Sequence, residues 1–256
     1  MGDDKIDSRI ACSALFSSHL LWENERFFVI DKAPGVSLAT PKNSPLEAVL
    51  RLIASLVHED RSCIYDPVEN LQLVHRLDVG TSGLVLLARD SDAHSALSQA
   101  LSERRAEKTY LALVWGRPSP LKGRWDWPLG PDTADRRRMK VDPHGKPSAS
   151  GYEVVATSRY ASLLKLHLET GRTHQLRVHC AHAGHLIVGD DLYGGPRHRG
   201  IRDQKVRDHL SPTHPYLHAW RLHLPQTPAG PEIILQAPLP PDFQTTLDFL
   251  KIRLER

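Results

Sequence analysis

Asp78 follows Arg76 by two residues in the run His75-Arg76-Leu77-Asp78-Val79-Gly80-Thr81-Ser82-Gly83-Leu84-Val85-Leu86, with apolar residues on both sides of a hairpin-like turn. A carboxylate at the end of an apolar strand has two readings. It caps its own turn by accepting backbone N–H bonds, or it is held there for chemistry, because strands seldom bury an acid without a partner. Arg76 on the same strand face is either its ion-pair partner or a side chain kept for something outside. A second constellation is Glu169-Thr170-Gly171-Arg172-Thr173-His174-Gln175-Leu176-Arg177-Val178-His179. Arg172 falls at its turn and Arg177 about one turn inside the helix that follows. An arginine there opposes the helix dipole, so it needs an anion, carboxylate or phosphate, whether as a structural ion pair or as a binding site. Tyr110 opens the strand after a basic helix end. It is an amphipathic core-edge residue or a ring placed to stack on a base.

Other chemistries lack their residues. His174, His179, His182 and His185 suggest a metal, but no HExxH occurs, no cysteine accompanies them, and spacings of five, three and three scatter imidazoles around one short helix. There is no GxxxxGK[ST], no GxGxxG and no GxSxG.

The chain has 256 residues, enough for one large domain or two small ones. Hydrophobic residues make up 40% and charged residues 25%, ordinary globular values. The net charge of +3 conceals basic clusters at Arg104, Arg105 and Lys108, at Arg136, Arg137, Arg138, Lys140 and Lys146, and at Arg197, Arg199, Arg202, Lys205 and Arg207. Such clusters are solvated faces or phosphate contacts. The three cysteines, Cys12, Cys63 and Cys180, are far apart, which argues for a reducing compartment. No signal peptide is visible and no stretch reaches the ~20 apolar residues of a membrane span. The expectation is a cytoplasmic protein, with no membrane partner.

The elements that must position these residues can be placed by pattern. Residues 1–20 read as a lead-in, and 21–256 as the functional domain. Arg26 to Asp31 is a strand stopped by the turn Lys32-Ala33-Pro34-Gly35. A helix from Ser44 follows on Leu46, Val49, Leu50, Ile53 and Val57. Leu71 to Asp78 and Leu84 to Ala88 flank the turn around Gly80. A helix capped at Asp90 or Ser91 carries Ala93, Ala96, Leu97, Ala100 and Leu101, with Arg104 and Arg105 at its basic end. Strands are expected at Thr109–Trp115, Tyr152–Ala156, Ser162–Glu169, Tyr216–Leu224 and Glu232–Gln236. Helices are expected at His174–Ala183, closed by Gly184, and at the C-terminus on Phe243, Leu247 and Leu250. Residues 116–149 read as a long loop or short-stranded excursion, and 194–215 as a polar, basic loop. Mixed elements with close strand pairs predict an α+β fold on a largely antiparallel sheet.

HRLDVGTSGLVLLA, KTYLALVWG and GRTHQLRVHCAHAGHLIVGDDLYG together resemble the RluA-type pseudouridine synthases, with Leu217-His218-Ala219 similar to that family's short downstream element. The likeness runs from about residue 25 to 240, in the family's order. It implies a bent, mostly antiparallel mixed sheet with flanking helices, an RNA-binding cleft, and neither metal nor organic cofactor. Asp78 matches the family's catalytic aspartate, Tyr110 the tyrosine that packs on the target base, and Arg177 the basic residue paired with the aspartate. Arg76 matches the arginine that enters RNA near the flipped base, and His75, Thr81, Arg172 and His174 stand beside these as candidate RNA contacts.

The implied function is isomerisation of a uridine in structured rRNA or tRNA to pseudouridine. A silent RNA-binding or assembly factor on the same scaffold is the alternative. The enzyme is expected to be a monomer with no obligatory protein partner. Two departures from the family pattern stand out. The usual KPxG-like turn is Lys32-Ala33-Pro34-Gly35 here, and the S4 RNA-binding domain of many relatives, ~60 residues, does not fit into the ~20 that precede the first strand. RNA selection is therefore expected from the catalytic domain and its loops.

Overall fold

Apolar residues that run without alternation must be covered on both faces, and Phe27-Phe28-Val29-Ile30 and Leu84-Val85-Leu86-Leu87 are runs of that kind. The computed structural model describes residues 19–38, 71–195 and 197–254. They form two compact units. One holds the described residues up to Ala106 together with Leu224–Ala237, and the other holds Glu107–His223 and Pro238–Arg256. The helix expected from Ser44 and most of the lead-in lie outside the described residues.

In the first unit, β1 (His19–Glu23) pairs antiparallel with β2 (Phe27–Lys32). β3 (Gln72–Leu73) and β4 (Ser82–Ala88) follow, and β4 pairs antiparallel with both β2 and β3. Phe27, Phe28, Val29 and Ile30 are buried, as is every residue of β4. Each such large apolar side chain contributes about 1.5–3 kcal/mol on leaving water. α1 (Ser91–Ser102) starts where the Asp90 carboxylate accepts the Ala93 N–H at 2.7 Å, and it buries Ala93, Leu97 and Ala100. Arg26 donates to both oxygens of the same carboxylate, at 3.1 and 2.8 Å. Asp90 thus ties the start of β2 to the start of the helix.

Two expectations are corrected in this unit. The strand predicted over Leu71–Asp78 pairs only at Gln72 and Leu73. One more ladder bond runs from Val74 N–H to Leu86 O (3.1 Å), but the Leu86 N–H donates to the His75 imidazole at 3.3 Å. A side chain has taken the donor that a further strand residue would need, so His75 to Asp78 leave the ladder, and Arg76 and Asp78 share no strand face. Arg104 and Arg105 also lie past the end of α1 and not in its last turn. The amides of Arg105 and Ala106 fold back onto Ala100 O, and Arg104 takes a left-handed φ of 59°.

In the second unit the strands are β5 (Glu107–Trp115), β6 (Lys122–Trp125), β7 (Leu129–Pro131), β8 (Met139–Val141), β9 (Ser150–Thr157), β10 (Ala161–Leu168) and β11 (Leu217–Leu224). β5 lies between β10 and β11, β9 follows β10, and β6 follows β9, every pairing antiparallel. β7 and β8 form a separate small hairpin. The helices are α2 (Gln175–His182), α3 (Gln204–His209) and α4 (Pro241–Phe249). Leu111, Leu113, Leu163, Val188, Tyr216, Phe243 and Leu247 belong to the core of this unit. The excursion at 116–149 thus carries three short strands. The stretch 194–215, expected as loop, contains a 3-10 turn at Arg197–Gly200 and α3, whose cap Asp203 accepts from the amides of Lys205 and Val206. Antiparallel sheet with flanking helices makes this an α+β protein, the class that the strand and helix patterns predict.

Candidate active site

Asp78 sits half-buried in the loop between β3 and β4, and the turn closes with a 3.0 Å bond from Thr81 N–H to Asp78 O. What holds this loop is Lys32, at the end of β2. Its ammonium is fully buried and donates to the carbonyls of Ala33 (2.8 Å), Val36 (3.1 Å) and Val79 (3.1 Å), so all three of its protons have acceptors. Val79 O also accepts the Gly35 N–H at 2.8 Å, and Gly35 can do so because its φ of 86° suits a residue without Cβ. Burial pushes the Lys32 ammonium down to about 8, and the charges of Asp78 and Asp31 pull it back up. Arg76 is exposed, His75 is half-buried with its ring on Leu86, and Thr81 is buried within the turn. Sequence reasoning read Lys32 only as part of a turn; an interior ammonium with three carbonyl acceptors has no local signature.

In the second unit Tyr110 is buried in mid-β5, opposite Leu166 of β10 and Ala219 of β11. The register with β11 shifts just beyond Ala219, leaving Trp220 as an extra residue. Such bulges re-aim neighbouring side chains and gather near active sites.

The start of α2 is built by Gln175. Its carbonyl accepts from Thr170 Oγ1 (2.7 Å) and from the Arg172 N–H (3.1 Å), while its amide donates to Ala149 O (2.9 Å) and Ser150 Oγ (2.8 Å). A fully satisfied, buried amide thereby rivets the GRTHQ turn to the beginning of β9. His174, just before the helix, takes a left-handed conformation (φ 55°), and its Nδ1 and the Tyr193 hydroxyl are joined at 2.8 Å. Arg172 is exposed and donates from Nε to Pro147 O at 3.2 Å.

Arg177 lies in the first turn of α2 and is 9% exposed. The anion that its position demands includes Asp190, which accepts from Nε and from Nη2, both at 2.7 Å, and is itself 3% exposed. This fork-to-carboxylate geometry fixes the plane of the guanidinium as well as its charge. Asp190 owes its place to Gly189, whose φ is +80° and where a Cβ would stand 2.2 Å from His214 O, so no other residue fits without a shift. Asp190, Gln175 and Tyr193 were all inside the motifs read from sequence, yet without an assigned task.

The histidines of this region are packed side chains. His179 is fully buried, with Nε2 3.1 Å from Trp127 O, and burial pushes it below the usual histidine range. His182 lies edge-on to Trp127, and His185 Nδ1 is 3.2 Å from Trp115 O. Among the described residues no three of His, Cys, Asp and Glu gather closely enough to hold a metal ion. The structure therefore groups His75, Arg76, Asp78 and Thr81 on one loop of the first unit. Arg172, His174 and Arg177 gather at the start of α2 in the second, where Tyr110 lies in β5.

Comparison with known proteins gives a consistent result. Residues 26–182 match the family model described as RNA pseudouridylate synthase. An uncharacterized RNA pseudouridine synthase of Chloroflexus aurantiacus is 45% identical over 181 residues, covering 71% of this chain and 54% of the relative. Ribosomal large subunit pseudouridine synthase D of Nitrosomonas europaea is 34% identical over 233 residues, 91% of this chain and 65% of the relative. The protein of the same name from Yersinia pestis is 34% identical over 238 residues, 92% of this chain and 71% of the relative. The chain thus spans between 54% and 65% of the length of the first two relatives. Among solved structures, human RNA pseudouridylate synthase domain containing 1 superposes with a TM-score of 0.69 at 26% identity, covering 88% of this chain and 84% of that one.

Proposed function

The chain belongs to the RNA pseudouridylate synthase family, and from that premise we propose that it is an RluA-type enzyme that converts a uridine of structured rRNA or tRNA to pseudouridine, with Asp78 as its catalytic carboxylate. The observation that carries the proposal is the Asp78 loop. A half-buried acid is presented from a turn that a fully buried lysine clamps through the Val79 carbonyl, inside the matched segment 26–182. Such an acid is costly to keep as mere turn chemistry, for which exposed Asp suffices.

The reaction breaks the N1–C1′ bond, turns the base and joins C5 to C1′. C5 gives up its proton and N1 gains one, so atoms balance within the nucleotide and the stoichiometry calls for no water or hydride. Ordinary glycoside hydrolysis needs a second carboxylate as acid; here one Asp serves, whether it attacks C1′, adds to C6 or takes a 2′ proton. Arg177, oriented by Asp190, takes the part that the family resemblance gives it, that of the basic residue accompanying the catalytic aspartate. Tyr110 stacks on the uracil and assists loss of the C5 proton. The base leaves its helix to reach the site, and Arg76, exposed on the Asp78 loop, occupies the space left behind. His75, Thr81, Arg172 and His174 border the RNA, and the basic residues of 116–149 and 194–215 take its phosphates. The enzyme works in the cytoplasm as a monomer. The name of the Nitrosomonas and Yersinia relatives supports ribosomal RNA as the first substrate to test.

Pseudouridine mapping of total RNA from cells with and without the gene names the uridine, because its signal vanishes in the deletion. Complementation with Asp78→Asn should leave that site unmodified, while the purified variant binds the RNA as wild type does. Restored modification by Asp78→Asn would refute the assignment. A wild-type protein that binds RNA but modifies none would favour the silent RNA-binding factor.

A further inference from the structure

The hairpin of β7 and β8 pairs three residues of each strand and is extended by single bonds from Asp132 N–H to Arg138 O and from Asp142 N–H to Pro128 O, and a lone two-stranded hairpin is at best marginally stable in water. It must be docked, and one side chain meets it from the segment that also holds Arg177. The Tyr193 hydroxyl accepts the Met139 N–H at 2.8 Å and is joined to His174 Nδ1 at 2.8 Å. The Cζ of Arg177 lies 5.1 Å from the Tyr193 ring centroid and that of Arg138 5.3 Å. Arg138 Nε is buried and finds no hydrogen-bond partner among the described residues, so the ring accounts for part of its hold. Tyr193 therefore touches, through one rigid group, the start of β8, the left-handed residue that opens α2, and the guanidinium of Arg177. Three residues back along the chain is Asp190, the carboxylate that orients Arg177.

We infer that Tyr193 is a positioning residue that couples the basic β7–β8 hairpin to Arg177, so that RNA held by the hairpin is set in register with the arginine of the active site. The inference rests on the reading of Arg177 as part of that site. The tip of the hairpin, residues 132–138, carries Arg136, Arg137 and Arg138, and Lys140 follows on β8. Arg136 and Lys140 are exposed, whereas Arg137 is paired with Asp135 at 2.8 Å. Arg136 and Lys140 suit phosphate oxygens. A ring that only filled space would be as good without its hydroxyl. A ring that transmits position needs both the hydroxyl, which grips the hairpin, and the face, which meets Arg177.

The test compares Tyr193→Phe and Tyr193→Leu with wild type, using amide hydrogen exchange and turnover on unmodified ribosomal RNA from the deletion strain. Tyr193→Phe keeps the face and loses the grip. Its Met139 amide should exchange about five- to tenfold faster and KM for RNA should rise by a similar factor, with kcat within about twofold of wild type. Tyr193→Leu should add a fall in kcat. Arg177→Met gives the converse, because coupling is reciprocal: the Met139 amide should exchange faster although its own hydrogen-bond partner is intact. Wild-type exchange and KM in Tyr193→Phe would overturn the inference, as would a fall in kcat with KM unchanged. The exchange measurements need no turnover, so they decide the coupling even if wild type proves unable to make pseudouridine.

Discussion

Replacing Asp190 by alanine tests how Arg177 is held. The pair is bidentate, both bonds are 2.7 Å, and the two side chains are 10% and 2% exposed. Alanine removes the carboxylate and leaves a guanidinium that burial keeps from full hydration. Breaking a buried pair from one side costs about 3–5 kcal/mol. With a urea m-value of about 2 kcal/mol/M, the unfolding midpoint should fall by about 1.5–2.5 M. Four of the five tryptophans lie in the unit that contains the pair, so tryptophan fluorescence reports the relevant transition. A second variant separates charge from fold. Asp190→Leu combined with Arg177→Met substitutes packed apolar groups of similar volume for both ions, an exchange that is often neutral or stabilising. It should recover most of the lost midpoint and yet remain inactive on RNA. A midpoint for Asp190→Ala within about 0.25 M of wild type, under about 0.5 kcal/mol by the same slope, would refute the argument. A double variant less stable than Asp190→Ala would do the same.

Two further outcomes follow from burial and charge. Cys180 is completely buried and burial pushes its thiol well above the usual range, so iodoacetamide should label the Cys180 peptide in urea and leave it untouched in the native protein; rapid native labelling would show the site is open. The Arg26 hydrogen bonds, foremost among the causes, hold Asp90 down to about 2. The stabilisation from this ionised carboxylate is therefore complete above about pH 4, the unfolded value, and lost as pH falls through 2. Asp90→Asn keeps a helix cap and removes the charge, so the stability difference from wild type should close over that interval; a difference independent of pH would contradict the assignment.

Much of this protein was legible locally. The unbroken apolar runs of β2 and β4, the alternation of β10 and the Asp-capped stripe of α1 follow from the period with which side chains meet a core, and period is a property of sequence. The motif around Asp78 and those containing Tyr110 and Arg177 were equally legible, because their residues are contiguous. Other features were decided only by tertiary structure. The strand expected to reach Asp78 ends early because the His75 ring takes the Leu86 amide, a competition between two groups eleven residues apart. That Arg177 demands an anion could be argued from the helix dipole, but that Asp190 answers it depends on a glycine at φ +80° turning the chain. Lys32 is an unremarkable lysine until folding buries it among three carbonyls and ties it to the Asp78 loop. Single polar residues carry no period, and their partners are chosen by which segments the fold brings within about 3 Å, the reach of a hydrogen bond. That selection belongs to the whole structure.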